Sequence, residues 1–147
     1  MPHPTALLGL SIVLAGLGGT VACGGARGGE GAAPPAVAEQ ADQGEDVFRR
    51  RCAQCHGPDG RGGRAPNIMG QGALTARPIP ENKMRTQTFA TAADLLAWTS
   101  KKMPPGTAED LTPAEHAAVI AYMLSETGYK VGPQPLDAEN AKAIKLR

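Results

Sequence analysis

The feature that most constrains this chain is the stretch Arg51-Cys52-Ala53-Gln54-Cys55-His56-Gly57. Its two cysteines are separated by two residues, and a histidine directly follows the second. On a helix, positions i, i+3 and i+4 share a face, so Cys52, Cys55 and His56 can all point at one flat object. This is the attachment spacing of a c-type haem. Two thiols are available for thioethers, and an imidazole nitrogen is available for the iron. A cofactor held covalently has no dissociation equilibrium and cannot be lost by dilution.

The same residues could serve other chemistry, and their context weighs each use. A Cys-x-x-Cys dithiol ordinarily sits near a βαβ pattern, whereas Gly44 to Arg51 reads as helix and no βαβ alternation occurs. Zinc ordinarily takes four ligands, and outside the motif the chain offers only Cys23, His3 and His116. A disulfide between Cys52 and Cys55 would close too short a loop to stabilise much. Aromatic content favours the haem reading. One Trp, two Tyr and two Phe in 147 residues supply little packing area, and a macrocycle at the centre would make up the deficit. The same shortage predicts a poorly folded apoprotein. With 15 Lys+Arg against 14 Asp+Glu, the chain shows no nucleic-acid footprint.

Ala6 to Gly19 is an apolar run, too short and glycine-rich for a membrane span of about 20 residues. Its size suits the apolar region of an export signal, although Met1 to Thr5 contains no Lys or Arg. A signal peptide is expected over 1–22. Thr20-Val21-Ala22-Cys23-Gly24 resembles a bacterial lipobox, which implies that Cys23 becomes a lipidated first residue anchoring the protein to a membrane. Cleavage after Ala22 without lipidation would instead leave a free N-terminal thiol. Residues 23–43 are rich in Gly, Ala and Pro, with Pro34-Pro35 at the centre. They read as a disordered tether.

The domain proper is expected over 44–131. Its first helix reads as Gln43 to His56, with Asp42 as N-cap and Glu45-Asp46 in the first turn. Val47, Phe48 and Cys52 form its apolar stripe, and Arg49-Arg50-Arg51 a solvated face. Leu74 to Phe89, interrupted by Pro78 and Pro80, reads as loop. Thr91 and Asp94 form a capping box for a short helix to Lys101, burying Leu95, Leu96 and Trp98. Thr112, Pro113 and Glu115 open the last main helix. Val119, Ile120, Met123 and Leu124 are its stripe, Tyr122 flanks it, and Gly128 stops it. His116 is expected at the solvent or the rim of this helix rather than on a metal. Gly132-Pro133-Gln134-Pro135 breaks the chain, leaving a C-terminal extension over 132–147 with a short helix capped by Asp137 and ending near Lys145.

An iron bound by His56 keeps one open axial position, which a methionine thioether can close. Met1 goes with the signal. Met69 follows His56 by 13 residues in a glycine-rich loop, Met84 sits in an extended charged stretch, and Met123 has core spacing. Met103 precedes Pro104, which holds it extended, and Pro104-Pro105 stiffen the loop. Met103 is the favoured ligand and Met84 the next.

Cys55-His56-Gly57-x-Asp59-Gly60-x-Gly62, then Pro66, then Met103-Pro104, resembles the class I (mono-haem) cytochromes c over about residues 44–128. The resemblance implies an all-α fold of three to five short helices wrapped around one covalent haem c. It implies thioethers at Cys52 and Cys55, axial ligands His56 and Met103, and the Pro66 carbonyl holding the His56 ring N–H. It also implies Phe48 packed near Ala121-Tyr122. The implied function is electron transfer rather than catalysis, on the periplasmic side, between a dehydrogenase and a terminal acceptor or oxidase. The tail from Gly128-Tyr129 through Gly132-Pro133 to Leu136 resembles single-haem cytochromes that serve quinoprotein or other periplasmic dehydrogenases. Lys101 and Lys102 would steer acidic partners. A five-coordinate haem, acting as peroxidase or gas sensor, is the alternative and requires Met103 to be off the iron.

Overall fold

Gln40 explains where the first helix begins. A computed structural model describes residues 37–78 and 83–147, and in it α1 runs Val37–Arg51. Gln40 is buried, and its amide trades two hydrogen bonds with one backbone position far down the chain: Nε2 donates to the Leu136 carbonyl (3.0 Å) and Oε1 accepts from the Leu136 N–H (2.6 Å). This tertiary partner extends the helix past the expected start at Gln43. Asp42 therefore lies inside the helix and is no cap, and 37–43 belong to the domain rather than to a tether. The expected signal over 1–22, Cys23 and the rest of the tether lie outside the described residues.

The last main helix crosses α1. This is α4, Pro113–Glu126, reached after α2 (Ala53–His56), α3 (Ala92–Lys102) and a 3₁₀ turn, Ala108–Asp110. At the crossing, a Cβ added to Gly44 would stand 2.0 Å from the Ala118 carbonyl oxygen, so only glycine permits this approach. One turn on, the Phe48 and Tyr122 rings meet with centroids 5.8 Å apart, tilted by 56°. That is the contact the resemblance implied.

Local sequence sets the other helix ends. Asp94 N–H donates to Thr91 Oγ1 and Thr91 N–H to Asp94 Oδ2, which starts α3 at Ala92. Thr112 and Glu115 repeat the exchange at α4, and those bonds from Thr112 hold the Glu115 carboxyl below its usual range. At the far end Gly128 adopts φ 79°. Gly128 N–H bonds to Ser125 O and Tyr129 N–H to Leu124 O, the paired bonds of a Schellman stop.

The expected C-terminal extension is part of the core. Leu136, Ala141 and Leu146 are buried, and Asp137 Oδ1 accepts from the N–H groups of Glu139 and Asn140 ahead of a 3₁₀ turn, Asn140–Ala143. The tail then runs along the start of α3: Ala92 N–H donates to Ile144 O, Leu146 N–H to Ala90 O, and Ala76 N–H to Arg147 O. The 74–76 loop is pinned a second time by the Tyr129 hydroxyl on the Leu74 carbonyl (3.0 Å). Among the described residues there is no strand, only an isolated bridge between Thr91 and Lys145. The fold is a small all-α one, with Phe48, Phe89, Ile120 and Leu124 fully buried at its centre.

Candidate haem site

The crossing of α1 on α4 fixes the direction in which α1 delivers the motif. The expected single helix to His56 is two: α1 ends at Arg51, Cys52 turns with φ −115° and ψ −37°, and α2 resumes at Ala53. Helical bonding still runs through the joint. Cys52 N–H donates to Phe48 O, and Cys55 and His56 N–H both donate to Cys52 O. Both cysteines are half-buried, and no disulfide joins them. Burial pushes the Cys52 thiol up to about 11, with Arg51 opposing the shift. Among the described residues no group of three His, Cys, Asp or Glu is placed to hold a metal ion.

The loop after α2 folds back beneath the motif. Gly62 N–H donates to His56 O and Ala65 N–H to Cys55 O, each at 2.9 Å. Bare backbone makes this possible: a Cβ on Gly57 would lie 2.5 Å from Gly62 O, and one on Gly63 would lie 2.8 Å from Cys55 O. The turn brings the Pro66 carbonyl oxygen to 2.8 Å from His56 Nδ1. A carbonyl only accepts, so Nδ1 carries the proton and Nε2 keeps the lone pair that a metal needs. Two thiols, an oriented imidazole and a loop of bare backbone are a donor set that fits haem c. Sequence reasoning missed Arg64, whose Nη2 lies 3.8 Å from Cys55 Sγ.

The methionines separate by burial. Met69 and Met123 belong to the core at 3% and 5% exposure, and Met84 is 53% exposed. Met103 is half-buried, extended (φ −132°, ψ 133°), and caps α3 through its N–H on Thr99 O. Lys101 and Lys102 are exposed just before it. The segment after Met103 is tied at two places: Arg51 Nη2 to Asp110 Oδ2 (2.8 Å) and His116 Nε2 to Ala108 O (3.0 Å). His116 is thus 3% exposed, not the solvent or rim residue expected. Its spacing to Ile120 and Met123 places it on the apolar stripe, a signal its polarity obscured.

The family model described as "Cytochrome C oxidase, cbb3-type, subunit III" matches residues 39–123. The chain belongs to that family. It is a mono-haem c-type cytochrome domain: it binds haem c covalently, and its haem serves electron transfer. The match starts inside the stretch expected to be tether, in keeping with the early start of α1. The fold is also that of a chain of the sulfane dehydrogenase SoxCD from Paracoccus pantotrophus, with 22% identity and a TM-score of 0.52. That likeness covers 72% of this cytochrome and 52% of the SoxCD chain, so this chain spans about half of that one's length. No curated protein matches the sequence. No helix among the described residues is long and apolar enough to cross a membrane.

Proposed function

We propose that this cytochrome passes single electrons through one haem closed on both axial faces, by His56 and by Met103, and does no chemistry of its own. The observation that carries the reading is the 2.8 Å contact of His56 Nδ1 with Pro66 O, because it fixes the tautomer and leaves Nε2 to the iron. Bound haem supplies a metal that cycles between ferrous and ferric. The residues do the rest. Cys52 and Cys55 would hold the ring at the joint of α1 and α2 and within α2, Pro66 steadies His56, and Met103 would keep water and small ligands off the metal. Methionine ligation and burial both raise the potential, which suits an acceptor of electrons from a dehydrogenase and a donor to a terminal oxidase.

Both kinds of partner have support in the comparisons: the family is described as an oxidase subunit, and SoxCD is a dehydrogenase. Lys101 and Lys102, exposed beside Met103, steer acidic partner surfaces in a salt-dependent way. An export signal over 1–22 and a lipid on Cys23 place the domain on the periplasmic side of a membrane, joined by the segment that precedes α1. Replacing Met103 by Ala tests the ligand assignment. The matured variant should show a lower midpoint potential and bind cyanide when ferric. If neither property changes, Met103 is not the ligand.

A further inference from the structure

His116 is the one described side chain with a buried polar atom that lacks a partner. Its Nε2–H donates to Ala108 O at 3.0 Å, while Nδ1 is enclosed and unbonded. A stranded buried nitrogen is unfavourable, and a leucine on the same stripe would pack without one. Stability alone therefore does not account for a histidine here. What it does hold is the 3₁₀ turn Ala108–Asp110, which begins five residues after Met103. The other side chain reaching that turn from a helix, Arg51 on Asp110, forms an exposed pair at 34% and 52% side-chain exposure, so it is weak and screened by salt. The His116 bond is dry.

We infer that His116 is a positioning residue for the sixth ligand: by holding Ala108 to α4, it keeps the Met103 segment where the thioether stays on the iron. The inference rests on the reading of Met103 as that ligand. A neutral thioether is easily displaced, so its occupancy depends on how firmly its loop is held. Ala108 O also accepts from the Leu111 N–H, so removing the imidazole does not orphan the carbonyl, and the fold should survive the change.

The test uses matured ferric holoprotein as wild type, Met103→Ala, His116→Leu and His116→Gln. It reads the near-infrared thioether–iron band and the cyanide affinity. Met103→Ala should abolish the band. His116→Leu should keep its helical content and thermal midpoint, yet weaken the band and bind cyanide about tenfold more tightly, the size of one net hydrogen bond. His116→Gln, whose amide can still donate, should stay close to wild type. Wild-type band and cyanide affinity in His116→Leu, with the band lost in Met103→Ala, overturns the inference and leaves the ligand assignment standing. A band that survives in Met103→Ala overturns both. If His116→Leu fails to mature, His116→Met, which likewise cannot donate to Ala108 O, takes its place: a weakened band and tighter cyanide binding support the role, and wild-type values overturn it.

Discussion

At Gly60 the backbone turns with φ 64°, and a Cβ there would stand 2.0 Å from Met69 Cγ and 3.2 Å from Phe48 Cζ. Bare backbone at this point lets the loop carrying Pro66 close against the core, with Gly60 O accepting from the Ile68 and Met69 N–H groups. Gly60→Ala adds a left-handed penalty to an overpacked contact and should cost about 3 kcal/mol in denaturant unfolding of the holoprotein. A loss of less than about 0.5 kcal/mol, the range of a neutral surface change, would contradict that account of the loop. Residue-level reading of the sequence went furthest where chemistry and spacing agreed. The Cys52-x-x-Cys55-His56 pattern of a c-type haem domain was legible from its spacing, and the His56–Pro66 contact from the resemblance, because both are local. His116 was misplaced because its polarity outweighed its register with Ile120 and Met123.

Helix ends show the same division between local and distant causes. Thr91 with Asp94 and Thr112 with Glu115 wrote the starts of α3 and α4 into four-residue windows, and both starts fall next to those caps. The start of α1 was illegible because its cause, the Gln40–Leu136 exchange, joins positions 96 residues apart. Replacing Gln40 by Ala strands both polar groups of buried Leu136 and should cost about 2 kcal/mol in chemical unfolding, while leaving the haem spectrum as it was. No measurable loss would mean that residues 37–43 are not held by the tail and that the helix begins later. The break at Cys52 was also unread, since helical hydrogen bonds continue across it and the sequence there carries neither Gly nor Pro.

Over the whole molecule, the order of helices followed from the sequence, but the return of the tail did not. Leu146 and Ile144 pair with Ala90 and Ala92, a contact between segments that share no local pattern. This return turns an apparent extension into part of the core and ties the start of α3 to the end of the chain. α3 in turn leads into Met103 at its C-terminal end, while α2 carries Cys55 and His56, with Cys52 at its start. The proposed closed haem requires both His56 and Met103 to reach the iron. The near-infrared absorption of the matured ferric protein tests this most directly. A thioether–iron band in a low-spin spectrum is the result predicted, and a high-spin spectrum with no such band would contradict it.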